Sequence, residues 1–82
     1  MEQVLYPKIL GTFNASTTTI YTCPKVCNVF AIVNKGAADL TFTINGITIT
    51  VEVTQAFEDW FEDFTTVTVT ATTAFSAIVK GW

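Results

Sequence analysis

The chain has 82 residues, half of them apolar and only 13% charged, with a net charge of −3. Its four basic residues (Lys8, Lys25, Lys35 and Lys80) are scattered singly, so no stripe can neutralise phosphates, and neither nucleic acid nor an anionic membrane is expected as a partner. There is no histidine, which excludes Ser-His and Cys-His catalysis and His-ligated metal sites.

A single domain of this size buries only about 60% of the surface its unfolded chain exposes. Average soluble domains carry about 25% charged residues, so too few charges are present to cover an independent monomer. Sixteen threonines stand in for them, and a β-branched hydroxyl residue suits a half-exposed strand better than a helix. This composition predicts an all-β protomer, a small antiparallel sandwich or barrel, whose remaining apolar surface is covered by copies of itself or by a partner. No apolar run approaches the roughly 20 residues of a membrane span. Met1-Glu2-Gln3 lacks the positive region of a signal peptide, so folding in a cytoplasm is expected.

In chain order, residues 2–13 read as strand-like, with Pro7 confining part of them to an edge or an arm outside the sheet. Asn14-Ala-Ser16 reads as a turn, residues 17–22 as a strand, and Cys23-Pro24-Lys25 as a second turn preset by the proline. Residues 26–34 form the most apolar strand; Val29-Phe-Ala-Ile-Val33 within it reads as buried. Lys35-Gly-Ala-Ala-Asp39 connects it to a hairpin. Here Asn45-Gly46 is the type I′ turn pair, flanked by Leu40-Thr-Phe-Thr-Ile44 and Ile47-Thr-Ile-Thr-Val51-Glu-Val53. Alternation places Leu40, Phe42, Ile44, Ile47, Ile49, Val51 and Val53 on one dry face and Thr41, Thr43, Thr48 and Thr50 on the other. In residues 57–64 the helical spacing of Phe57, Trp60, Phe61 and Phe64 opposite Glu58, Asp59, Glu62 and Asp63 predicts a short helical or irregular crossing, with a strand as the alternative. Val67, Val69 and Ala71 then point inward from one strand, and Phe75, Ala77 and Val79 share a side of the last. The count is about seven strands: an N-terminal strand or docking arm over residues 1–16, then a β-sandwich over 17–82.

Few residues offer chemistry. Ser16 and Ser76 have no base within sequence reach. Cys23 and Cys27 could form a disulfide or half a zinc site, but zinc needs two further ligands, and two reduced, partly buried thiols are the favoured reading. The four carboxylates lack the Asp-x-Asp spacing of a calcium loop and read as a solvated face. Paired carboxylates also serve glycosidases, a use that so small a domain disfavours. Trp60, Trp82, Tyr6 and Tyr21 could stack on sugars, yet aromatics in a chain with few charges belong more often to core or interface. Neither a cofactor nor an enzymatic activity is expected. The candidate interface or binding platform is Phe57, Trp60, Phe61, Phe64 and Trp82.

Taken together, Tyr21-Thr-Cys-Pro24, the apolar strand 26–33, Asn34-Lys-Gly-Ala-Ala-Asp39, Asn45-Gly46, the aromatic-acidic stretch and the threonine-alternating residues 67–81 resemble small β-sandwich virion proteins of tailed bacteriophages. The likeness covers residues 17–81 and rests on the order of the motifs, each of which alone is turn chemistry. It implies a structural virion component, made in the bacterial host's cytoplasm and commonly trimeric, that binds the major capsid protein or another virion protein as a capsid decoration, head-fibre or tail part. Cys27 and the first sixteen residues lie outside the pattern. The alternative expectation is a receptor- or carbohydrate-binding module of a tail or fibre, with Trp60 at its centre.

Overall fold

The computed structural model describes residues 6–82, and its regular elements are all strands: β1 (Lys8–Ala15), β2 (Thr19–Asn34), β3 (Leu40–Ile44), β4 (Ile47–Val51), β5 (Ala56–Thr70) and β6 (Phe75–Gly81). All pairings are antiparallel, in one sheet of order β1-β6-β2-β5-β3-β4. Residues 1–5 of the expected N-terminal arm lie outside the described residues, and β1 is an edge strand beginning directly after Pro7.

Six strands replace the expected seven because residues 17–22 and 26–34 do not separate at Pro24. Both stretches pair with β5, Thr19–Thr22 against Thr66–Val69 and Val29–Val33 against Ala56–Trp60, with the register shifting between Thr22 and Cys27 and again between Cys27 and Val29. Cys23-Pro24-Lys25 is therefore an irregularity inside one long strand and not a turn. A proline has no N–H for the ladder, and a bulge is where a strand tolerates one. Residues 57–64 belong wholly to β5, which corrects the helical reading. Two isolated helical turns have too few internal hydrogen bonds to persist, whereas β2 offers this segment a ready ladder.

The long strands bend. Through Ala77, Phe13 is level with Ile32, yet its ring stacks on Tyr21, far earlier in β2, with centroids 4.3 Å apart. Phe30 of β2 meets Phe42 of β3 at 4.7 Å, and Phe42 meets Phe57 of β5 at 5.1 Å, although Phe42 is level with Val69. The sheet thus curls until its inner face packs against itself. Phe30, Phe42, Phe75, Ile32, Leu40, Ile44, Val67, Val69 and Val79 fill the space between. The inward positions expected on β5 and β6 are all buried.

The hairpin forms as its sequence dictates, with Asn45 and Gly46 at φ 52° and 77°, both in the left-handed region of a type I′ turn. Its dry face is complete only on β3. On β4 Val51 is buried, Ile49 is half-buried and Ile47 is exposed, and Val53 lies exposed beyond the strand. As the sheet's other edge, β4 has no further strand to shelter it.

One end of the fold is held by a buried side chain. The Asn34 amide donates to the carbonyls of Ala38 (2.8 Å) and Val51 (3.1 Å), and its oxygen accepts from the Gly36 N–H (3.1 Å). Gly36 lies so close to Thr73 that a Cβ there would overlap the threonine side chain. The Asn-x-Gly-Ala-Ala-Asp stretch is thus a connector that binds three chain segments, and Asp39 completes it by accepting from the Val53 N–H at 3.1 Å. Replacing Asn34 by Asp keeps the shape but turns oxygen toward two carbonyl oxygens. Both Asn34→Asp and Asn34→Ala are expected to cost about 2–3 kcal/mol, read as an earlier urea midpoint with unchanged slope. Thr54, at φ 64°, is the other non-glycine residue among those described with positive φ. A β-branched side chain is strained there, so Thr54→Gly is expected to raise stability by about 1 kcal/mol in the same measurement.

Candidate interaction surface

In β2 the run 29–33 is apolar on both sides, and only one side meets the core. Phe30 and Ile32 point inward, while Ala31 and Val33 point outward, with Val33 exposed. Register places Ile78 and Glu58 beside Ala31, Ser76 and Ala56 beside Val33, and Lys80 and Trp60 beside Val29. These residues form an outer face across β6, β2 and β5 with an open groove of about 300 Å³, floored by small and branched apolar side chains. Val29 is buried at its far end, under a neighbourhood that includes Pro7, Trp60 and Lys80. The expected buried strand is therefore sealed on one side only.

The curl turns part of the expected aromatic platform inward, while Phe57, Trp60 and Phe61 still line one open cleft together. Phe57, Phe61 and Phe64 turn inward and pack around Phe42 and one another, with Phe64 buried and the other two half-buried. Trp60 and Trp82 remain outside, 57% and 54% exposed, with centroids 6.0 Å apart. Tyr21 is committed to its stack on Phe13, and Tyr6 is exposed. Alternation in β5 explains the separation, since Trp60 shares the outward side of Ala56 and Glu58 while Phe57 and Phe61 share the inward side. The pairing of Trp60 with Trp82 is illegible in the sequence, because it requires β6 and β5 to flank β2.

The carboxylates do not converge. Glu58 pairs with Lys80 at 2.8 Å, Asp63 accepts from the Asn28 amide at 2.5 Å, and Asp59 accepts from the Trp60 N–H at 2.7 Å. No cluster able to hold a metal ion occurs among the described residues. Ser76 takes a 3.4 Å hydrogen bond from Lys35 Nζ. Inward of the groove, Asp59, Glu62 and Asp63 rim an open cleft of about 900 Å³ between β4 and β5, with Ile47, Ile49, Phe57 and Phe61 in its walls.

Cys23 and Cys27 are buried free thiols where β2 changes register. Burial, joined by a hydrogen bond to Cys27, pushes the Cys23 thiol up to about 12 from its ordinary 9.0, and burial also raises Cys27. Both therefore stay protonated at neutral pH.

Comparisons with protein-family models, with curated proteins and with solved structures each give no match.

The thiols give the fold an alkaline limit. An unfolded chain releases these protons near pH 9.0, while the folded chain keeps that of Cys23 toward about 12 and holds that of Cys27 above its ordinary value, so folded stability is full below pH 9.0 and falls as pH rises through the window above it. Urea midpoints taken across this interval should decline more steeply for the natural chain than for Cys23→Ala/Cys27→Ala.

Proposed function

We propose that this chain is a structural component of a tailed-phage virion, a capsid decoration or head-fibre protein that acts through protein–protein contacts. In this reading the curled sheet serves as a compact sandwich and the working unit is a trimer. The observation that carries the proposal is the apolar outer face of Ala31, Val33, Ala56 and Ile78, beside two exposed tryptophans, in a chain with few charges. A contiguous apolar patch on so small a protein is the kind of surface that a subunit or shell covers. The resemblance of the motif order to phage virion proteins points to the particle; the face supplies the means of attachment. No catalytic constellation competes for it, since the polar groups on it, Ser76, Glu58 and Lys80, are already paired with one another or with Lys35.

A second reading, a carbohydrate- or receptor-binding module, is favoured by one specific feature, the exposed Trp60–Trp82 pair with Glu58 and Lys80 alongside. Aromatic faces flanked by hydrogen-bonding groups suit sugar rings.

One variant separates the two. With more than half its surface exposed, Trp60 contributes little to the folded protomer, so Trp60→Ala should shift folding stability by no more than about 0.5 kcal/mol. Under the structural reading, sedimentation of Trp60→Ala shows a trimer weakened or lost, and a glycan array gives background signal for the natural chain. Glycan binding abolished by Trp60→Ala in a protein whose assembly is unchanged would favour the second reading. A natural chain that stays monomeric at high concentration would remove the trimer. Negative-stain images of particles made without this protein should lack a surface projection.

A further inference from the structure

Part of β5 runs without a partner on one side. β2 pairs with residues 56–60 along one edge, but among the described residues β3 reaches the other edge only at Thr68, Val69 and Thr70. Side chains stand in for a neighbouring strand along the gap. The Asn45 amide donates to the carbonyls of Glu62 and Asp63 at 3.2 and 3.3 Å, and the Asp59 carboxylate accepts from the Trp60 N–H at 2.7 Å. The open stretch, residues 56–61, is about 20 Å long. It borders the cleft between β4 and β5, whose apolar walls are Phe57 and Phe61 on one side and Ile47 and Ile49 of edge strand β4 on the other. An unpaired edge beside apolar walls accepts an added strand, main chain supplying affinity and alternate side chains supplying fit.

We propose that this edge receives an extended segment of a partner protein with the pattern apolar-x-basic-x-apolar, seated against Phe57, Asp59 and Phe61. Those three residues lie two apart on the inward side of β5, so an added strand sets one side chain opposite each. The pattern reads alike in both directions and fits a parallel or an antiparallel guest. Charge selects its middle residue. Asp59, Glu62 and Asp63 rim the cleft, and no lysine lines it among the described residues. The hydrogen bonds to Asp59 and Asp63 come from a backbone N–H and from the Asn28 amide, which leave the carboxylate charges in place. A lysine or arginine opposite Asp59 compensates that charge, and the Phe57 and Trp60 rings beside it favour the same cation. Charge also turns away a second copy of this chain. An inward-pointing charge on an edge deters like strands, and two copies of this edge would set acidic residues against each other. The lysines are committed elsewhere: Lys8 opposite Gly81, Lys80 to Glu58, Lys35 to Ser76, and Lys25 within the break of β2. The inference concerns the cleft and not the apolar outer face, and it holds whether or not the chain belongs to a virion.

The test uses the full chain and three synthetic heptapeptides blocked at both ends. The first is Thr-Val-Thr-Lys-Thr-Val-Thr, the second carries glutamate in place of the lysine, and the third reorders the first as Thr-Thr-Val-Lys-Val-Thr-Thr. The first should bind with a saturable change in tryptophan fluorescence and should slow amide exchange in residues 56–61 as the ladder forms. The second and third should bind about ten-fold more weakly or worse. Asp59 is exposed and an asparagine there still accepts from the Trp60 N–H, so Asp59→Asn leaves the fold intact. It should weaken the first peptide about ten-fold, whereas Glu52→Gln, the same change of charge outside the cleft, should leave binding as it was. A full chain that leaves the first peptide unbound overturns the proposal, including the case in which another copy fills the cleft. Binding indifferent to Asp59→Asn, or equal binding of the reordered peptide, reduces the contact to unspecific attraction and overturns it as well. Full displacement of the peptide by an equal concentration of n-butylammonium would mark a small-cation site instead, and binding without slowed exchange in residues 56–61 removes the added strand.

Discussion

The ladder between β2 and β5 is the constraint on which the rest of the molecule depends. Both strands are long, yet their pairing is broken where Cys23, Pro24, Lys25 and Val26 stand opposite a shorter stretch of β5. A continuous ladder of this length would make an extended ribbon with one apolar face in water. The break lets the ribbon fold so that Tyr21 reaches Phe13 and Phe57 reaches Phe42. Burial of the large aromatics follows from that fold, and truncating one of them costs roughly 3–5 kcal/mol, a large share of a small domain's stability. Buried thiols on either side of Pro24 fit the same logic, since small apolar-like side chains fill the inside of a bend without ionising.

Folding the ribbon also decides what stays outside. Residues 56–60 and 29–33 alternate across one layer, so each apolar residue in the core has an apolar neighbour on the outer face. Val33, Ala31, Ile78 and Ala56 leave that face nearly free of charge except for the Glu58–Lys80 pair. The ion pair is partly exposed and contributes under about 1 kcal/mol. It neutralises the border of the face without making it polar throughout. The opposite layer carries Thr22, Thr66, Thr68, Thr43 and Thr48 outward instead, with the Thr43 and Thr48 hydroxyls 2.8 Å apart. The two outer faces are thus unlike: one is apolar around Ala31 and Val33, the other is threonine-rich with Ile20, 70% exposed, beside Thr68.

Much of this was legible residue by residue. The Asn45-Gly46 turn and the inward sets Val67-Val69-Ala71 and Phe75-Ala77-Val79 follow from turn chemistry and period-two alternation, both local rules. What failed was non-local. Pro24 reads as a turn unless it is known that both flanking segments share β5 as a partner. Residues 57–64 read as a helix because the irregular register between Trp60 and Phe64 breaks their alternation and leaves apolar residues at helical spacing. For the same reason spacing alone cannot tell that Phe57 and Phe61 pack on Phe42 while Trp60 pairs with Trp82. The Asn34-x-Gly36 stretch was recognisable as turn material, but its hydrogen bonds to Ala38 and Val51 needed the fold. The run 29–33 is apolar on both sides; burial on both sides was the simpler inference, and only the strand order leaves one side open.

The folded ribbon is tested most directly by proton–proton Overhauser contacts between aromatic rings in solution. Ring cross-peaks are expected between Phe13 and Tyr21 and between Phe30 and Phe42, whose centroids lie 4.3 and 4.7 Å apart. Backbone contacts across the β2–β5 ladder should accompany them. An intact ladder with neither ring contact would mean that the ribbon runs straight through Pro24, and the account of core, outer face and cleft would be wrong.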